Sequence, residues 1–362
     1  MFRHSKLFFP ILIGLLVLAM VWSAAFGKVH ISLDEMYASI AKTFIKYFDP
    51  PKTPEEVLNL KLSTSEAVFI QLRLPRILLC GIVGAILAVS GVLMQGLFRN
   101  PIVEPGLVGT SAGAGLGASV VFVLAPSFSV WFKEWAGLLL TPMLAFAGAM
   151  LATMIVYSLA KNAKRISIMS LLLVGIAINA VCMSGINFLA FIARDSQARS
   201  ITFWNMGNFS GSTWMQVVIV GVVATAIFVI SFFYSKQLNT LLLGEEEATY
   251  LGVNPNKLKR NILLLNTIMV SVATAFVGVI AFMGLIVPHM LRLMIGSDNK
   301  KLLPSAMLLG ATLLICADTT GRLILPSAEV SVGIITSLVG APIFIMLLKR
   351  FNLMQHTGGY NA

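Results

Sequence analysis

The feature that most constrains this chain is the recurrence of uninterrupted apolar stretches about 18 to 25 residues long, the length that spans a hydrocarbon core as α-helix. In lipid each backbone N–H and C=O must be bonded within the protein, so such stretches are read as spanning helices. Composition agrees: of 362 residues 57% are hydrophobic and 11% charged, where soluble domains carry about a quarter charged. Ten segments are expected, near 7–26, 77–97, 107–124, 137–159, 166–193, 215–234, 262–283, 284–295, 302–325 and 332–348. The eighth is too short to cross unless it borrows flanking residues. The fold class expected is all-α, a polytopic membrane protein of about ten transmembrane helices, with residues 1–362 as one transmembrane domain.

The first segment follows Arg3 and Lys6 and contains Ser23-Ala24-Ala25, which has the form of a signal-peptidase site. Its apolar run is too long for a signal-peptide core, so a retained first span is expected. The net charge of +11 does not point to nucleic acid, because Lys and Arg stand singly or in twos and threes between apolar segments. With both termini inside, the inner segments hold fifteen of the 26 Lys and Arg but only five of the 15 Asp and Glu. That excess is the positive-inside pattern and places both termini in the cytoplasm. Cys80, Cys182 and Cys316 lie inside apolar segments with no CxxC or Cys/His grouping, so they read as small packing residues rather than a disulfide or metal set.

Two connections exceed simple turns. The outer loop, 27–76, contains Asp49-Pro50-Pro51-Lys52 and a mixed-charge run and is expected to be a surface excursion with some helix. The inner loop, 235–260, carries a short helix from Gly244 to Gly252 with three acids at its start, where the helix dipole favours them. Such a helix on the inner face is a docking element.

No phosphate-cradling G-x-x-x-x-G-K-S/T occurs; the only Gly-Lys pair, Gly27-Lys28, lacks the upstream Gly and the hydroxyl. Neither a G-x-S-x-G elbow nor an H-E-x-x-H helix is present, and the four histidines are scattered. The chain is therefore not expected to be an enzyme. Intramembrane charge is sparse, chiefly Asp318 and Arg322, four apart and read as a mutually neutralising pair. A proton relay usually needs several titratable groups along the path, so an ion-driven secondary transporter or channel is the alternative reading, and a membrane enzyme a poorer one.

Six ordered blocks carry a resemblance. They are Arg73-Leu74-Pro75-Arg76 running through Gly84, Ser90-Gly91 and Gln95-Gly96; Arg99-Asn100-Pro101 with Glu104-Pro105-Gly106 and Ser111-Ala112-Gly113-Ala114; Leu243-Gly244-Glu245 with Leu251-Gly252-Val253; Phe282-Met283-Gly284-Leu285-Ile286-Val287-Pro288-His289; Val332-Gly333-Ile334-Ile335-Thr336; and Gly340-Ala341-Pro342. At these spacings, over nearly the whole chain, the sequence resembles the FecCD family of ABC-importer permeases. The main departure is the outer loop, which is longer than the family pattern.

The resemblance implies a permease that moves a ferric siderophore, haem or cobalamin across a bacterial inner membrane. It implies a homodimer, separate ABC ATPase subunits inside, and a periplasmic or lipid-anchored substrate-binding protein outside. No cofactor is expected in this chain, ATP and Mg belonging to the ATPase. Site residues carried over are Gly244, Glu245, Ala248, Leu251, Gly252 and Val253 for ATPase docking. Asn100, Ile102, Ser167 and Ile168 are carried over for a cytoplasmic gate, and Arg73 and Arg322 for docking of the binding protein. The Pro288-His289 pair belongs to the family motif, so His289 is not read as a haem ligand.

Overall fold

The computed structural model describes residues 7–27, 29–48, 53, 60–125, 139–162, 165–325 and 328–358. Arg3, Lys6, Lys28, the 49–52 run, Gly137 and Lys164, which entered the charge count and the expected bounds, lie outside the described residues.

Among the described residues the chain is helical, with one two-residue antiparallel pairing, β1 (Lys161–Asn162) with β2 (Arg165–Ile166). In order the helices are α1 (Phe8–Ala25), α2 (Leu33–Phe48), α3 (Thr64–Phe98), α4 (Thr110–Leu124), α5 (Leu140–Ala160), α6 (Ile168–Ile192), α7 (Asp195–Asn205), α8 (Trp214–Leu241), α9 (Glu245–Tyr250), α10 (Pro255–Val277), α11 (Met283–Ile295), α12 (Asn299–Ile324) and α13 (Val332–Gly358). Ten of these coincide with the ten expected segments. Among the described residues seven are long and apolar enough to cross a membrane, while α4, α11 and the apolar part of α13, Val332–Met346, are shorter.

Several bounds differ from the sequence expectation. The second span begins at Thr64, not 77, so the outer loop ends thirteen residues earlier than its expected limit. Ser63 caps the new start, its hydroxyl accepting from Glu66 N while the Glu66 carboxylate accepts from Ser63 N, and a π turn at Phe69–Arg73 passes the helix on to Pro75. The inner loop shrinks to 242–254, because α8 runs on to Leu241 and α10 already starts at Pro255, capped by Asn254. The seventh span stops at Val277 rather than 283, where Gly278 takes φ +79°. α7 was not expected.

The helix α3 is the axis of the fold. Twenty of its residues from Pro75 to Phe98 are buried, and it packs against α12, α8, α11 and α10. Lipid tails are as apolar as leucine, so helices associate there through close packing rather than by escaping water. Glycines allow that approach: a methyl at Gly84 would collide with the Gly310 carbonyl of α12, and one at Gly91 with the Gly284 carbonyl of α11.

Helix directions follow from end contacts. The first third of α3 meets the end of α1, Arg73 Nη1 donating to Ala24 O at 2.5 Å, while its far end meets α9, Arg99 Nη2 lying 3.9 Å from Glu245. The start of α12 is bonded to the end of α8 through Asn239 and Asp298, 2.7 Å. α1 therefore starts, and α13 finishes, at the end of the bundle that carries α9. Gly91→Ala is expected to lower the melting temperature of detergent-purified protein, at a cost of about 1–3 kcal/mol for overpacking. Gly14→Ala, with nothing within 4 Å of the added methyl, leaves it unchanged.

Candidate functional site

At the α9 end, the connection after α8 turns at Gly244, whose φ of +141° and the Glu247 carboxylate packed where a Cβ would stand require glycine. α9 is a single turn and a half, closed by Gly252 at φ +83° and by Val253 N donating to Ala248 O, 2.9 Å. Glu245 fixes its start: Lys259 Nζ of α10 stands 2.8 Å from one carboxylate oxygen. Of the expected docking residues, Ala248 is fully buried and Val253 packs against the core, whereas Leu251 is exposed. Leu243 and Tyr250, at 66% and 91% exposure, complete an apolar surface with Leu251. Tyr250 is the residue that sequence reasoning missed.

The second place is the return from α3. Arg99 adopts φ +49°, and Asn100 holds the turn through its side chain, Oδ1 accepting from Ile102 N at 3.0 Å. Ile102 is 41% exposed. Beyond it the chain climbs back alongside α3 instead of leaving the bundle. Asn266 of α10 accepts from Ser90 of α3 and donates to Pro105 O at 3.3 Å, and Pro105 packs on Gly284. α4 accordingly starts midway along the bundle and runs about 22 Å away from the α9 end.

The residues 278–282 do the converse, returning from the opposite end so that α11 starts midway along the bundle and runs about 20 Å toward the α9 end. The two inbound segments meet where the Glu104 carboxylate accepts from Phe282 N, 3.0 Å, at the N-terminus of α11, the position a helix dipole favours for negative charge. Gln95 Nε2 donates to Leu285 O at 3.0 Å in the same layer. Broken backbone at membrane depth is thus bonded to protein.

The other two gate candidates, Ser167 and Ile168, begin α6. Ser167 Oγ caps it by accepting from Ser170 N at 3.3 Å, and Ile168 packs against the core. α6 lies against the turn after Glu104, with Asn179 Nδ2 donating to Leu107 O at 3.3 Å.

The third place is the opposite end. Asp318 does not neutralise Arg322 alone: Arg76 grips its carboxylate from both Nε, 3.0 Å, and Nη2, 2.9 Å, and also reaches Glu329 at 2.9 Å. Arg322 Nε faces Asp318 at 3.3 Å, off the hydrogen-bond direction, while its Nη2 donates to Ser23 Oγ at 2.7 Å. The expected i,i+4 pair is therefore a three-helix cluster. Arg73 is buried and donates to Ala24, Ala25 and Val29 carbonyls, which caps the C-terminal end of α1 with a cation. Arg73, Arg76, Arg322 and Glu329 line a pocket of about 230 Å³. A wider hollow of about 610 Å³ lies between Asn205–Met206, Val279, Ala281 and the first turns of α13, lined by Gly333, Ile334, Leu338 and Pro342.

A bundle of this kind, with paired half-length helices and a short helix hung from one end, defines a polytopic membrane protein, and the matches are to transport proteins. The model of the FecCD transport family matches residues 15–350. The chain is 40% identical to the hemin transport system permease protein HmuU of Yersinia pestis, over 80% of this chain and 86% of that one. It is 37% identical to the vitamin B12 import system permease protein BtuC of Vibrio parahaemolyticus, over 89% and 92%. A solved inward-facing structure of a transporter assigned to the metal-chelate ABC type superposes with a TM-score of 0.78 at 29% identity, covering 96% of this chain and all of that one. This chain belongs to the FecCD transport family.

The Arg76–Asp318 pair is 13% and 5% exposed at its side chains. Removing one partner from a buried pair costs about 3–5 kcal/mol, mostly for the charge left alone. Asp318→Asn, which leaves Arg76 and Arg322 facing each other, is expected to lower the melting temperature strongly. The double change Arg76→Met with Asp318→Leu is expected to recover part of the loss.

Proposed function

We propose that this chain is the permease subunit of an ATP-driven importer that passes a haem, cobalamin or ferric-siderophore ligand inward, as a homodimer of single-domain subunits. It works with a separate ABC ATPase at the α9 end and a substrate-binding protein at the other, in the inner membrane with both termini cytoplasmic. ATP and Mg are held by the ATPase, and this chain supplies no cofactor of its own. The observation that carries this reading is α9. It offers Leu243, Tyr250 and Leu251 to a partner while Glu245, tied to Lys259, makes it move with α10. The names of the relatives supply the ligand class, and a path with little charge suits a bulky cargo handed over by a binding protein. An ion-driven mechanism has less support, because the mid-depth carboxylate, Glu104, is engaged by Phe282 N.

The gate reading rests on the Asn100 turn, which holds the exposed Ile102 at the inner end beneath the mid-depth crossing, with Ser167 and Ile168 at the facing start of α6. Arg73 and Arg322 are proposed to serve the binding protein as walls of the outer pocket rather than as free charges, since α1 already occupies their guanidinium groups. The copy-to-copy face is assigned to the apolar outer surfaces of α6 and α13 around the larger hollow.

Two measurements test the reading. Tyr250→Arg with Leu251→Arg is expected to abolish ligand uptake in proteoliposomes and co-purification of the ATPase, with the melting temperature unchanged because both side chains are exposed. Retained ATPase binding would overturn the docking assignment. Asn100→Ala with Ile102→Ala is expected to raise nucleotide-independent release of trapped ligand from proteoliposomes, and unchanged release would remove the turn from the gate.

A further inference from the structure

Among the described residues, nothing covers one face of α2. Leu33, Tyr37, Ile40, Phe44 and Phe48 recur at steps of four, three, four and four, so at about 100° per residue they fall within one narrow arc. All five are more than half exposed, Tyr37 by 77% and Phe48 by 76%, and the Phe44 and Phe48 rings stack at 4.4 Å. The next arc, Met36 and Ser39, is buried. Beyond it come the groups that tie α2 down: the Glu35 carboxylate accepts from Ser65 Oγ at 2.6 Å, and Lys42 Nζ stands 2.9 Å from Glu66. The hydrogen bond from Ser65 Oγ, and after it that from Ser32 N, hold the Glu35 carboxyl below the usual carboxylate range. The tie therefore contributes above the ordinary carboxyl range and is lost only in acid as pH falls through the lowered value.

Where α2 sits decides what covers the stripe. It starts eight residues after the end of α1 and is anchored to the first turn of α3, beside the ends of two spanning helices. Arg73 grips the linking segment at Ala24, Ala25 and Val29. Exposed apolar residues follow one another along the chain: Val17, Leu18 and Val21 on α1, then Phe26 and Val29 in the link, then Leu33 on α2. The α1 part of that surface faces hydrocarbon in a spanning helix. A helix with an apolar aromatic arc opposite a charged one, set at the level where a span ends, has the form of helices that lie in the bilayer interface. Tyrosine suits that depth because its ring is apolar and its hydroxyl wet.

We propose that α2 is an interfacial helix that lays its Leu33, Tyr37, Ile40, Phe44 and Phe48 stripe into the headgroup layer of the membrane surface at the Arg73 end, bracing α1 against the start of α3. The surface it takes is lipid, and the inference is independent of which ligand the permease carries.

Nitroxide labels at Leu33→Cys, Tyr37→Cys and Phe44→Cys of the full chain in proteoliposomes test it, with Asp34→Cys at the charged edge of the stripe and Lys46→Cys on the opposite face as comparison positions. The unsubstituted protein is the labelling blank, since Cys80 and Cys182 are buried and Cys316 half-buried. The stripe labels are expected to collide more with oxygen, which enters lipid, than with a water-soluble nickel chelate, and the order reverses at the other two. Higher nickel accessibility at all five positions would place the stripe in water and overturn the proposal. Protection from both reagents, or lipid exposure that disappears only when a binding protein is added, would mean protein covers it and would overturn it equally. As a second readout Phe44→Trp gives added fluorescence that lipids brominated near the headgroups quench more than lipids brominated near the chain ends. Equal absence of quenching by both would also sink it.

Discussion

The contact on which the rest of this structure depends is the backbone-to-backbone approach of α3 to its neighbours at Gly84 and Gly91. Two helices in lipid gain little from hiding leucines from each other, so their association rests on close van der Waals packing and on hydrogen bonds made possible by proximity. Gly84 lies on Gly310 and Gly91 on Gly284 so closely that a methyl would strike a carbonyl in either place. The second contact brings the start of α11 against α3. It puts Ser90 within reach of Asn266, and Gln95 within reach of Leu285 O. That approach therefore seats α11 and, through Pro105 on Gly284, the turn that leads into α4.

Much of this was written plainly in the chain. Seven of the ten apolar stretches appear among the described residues as helices long and apolar enough to span, because a run of that length has no other way to satisfy its peptide groups in lipid; the other three appear as shorter helices, and α9 was legible from its acids and its closing Gly252. The failures have physical causes. α7 reads Asp195-Ser196-Gln197-Ala198-Arg199, too short and polar for a hydropathy scan, and only its capping pattern could have flagged it. The extension of α3 back to Thr64 was announced by Ser63 and Glu66, a capping box hidden inside a stretch taken for loop. Asp318 was given the neighbour its own helix offered, four residues on. Its stronger partner, Arg76, stands 242 residues away in sequence, and helical periodicity carries no information about other helices. In α9 a helix of six residues is too short to reveal which side faces inward, so Ala248 and Tyr250 could not be told apart.

The placement of charge follows the same economy. At the Arg73 end every buried cation is answered: Arg76 by two carboxylates, Arg322 by Asp318 and Ser23, Arg73 by the open carbonyls that end α1. An ion pair at that depth is not itself a large source of stability, because desolvation offsets most of the attraction. What it supplies is orientation, since a bidentate arginine fixes the rotation of α3 relative to α12 in a way that apolar side chains would not. That rotation is also what aligns Gly84 with Gly310 farther down the same two helices.

The crossing of the two inbound segments carries the argument from fold to movement. Discontinuous helices that start at mid-depth are weak points in an otherwise rigid bundle, and transporters place them where a path must open. Here the weak points are braced against each other, Glu104 on Phe282 N and Pro105 on Gly284, while the two ends of the pair reach opposite surfaces: the Asn100 turn at the α9 end, and residues 278–281 beside Met206 and Gly333 at the other. Gly333 N donates to Met206 O at 3.0 Å and Asn208 N to Val277 O at 2.8 Å, so α7, α10 and α13 are coupled through backbone alone. α10 thus spans from Lys259, which holds Glu245 at the α9 end, to backbone contacts beside the wall of the large hollow at the other. The crossing lies between the Asn100 turn and that wall, so the two are joined through one bonded point.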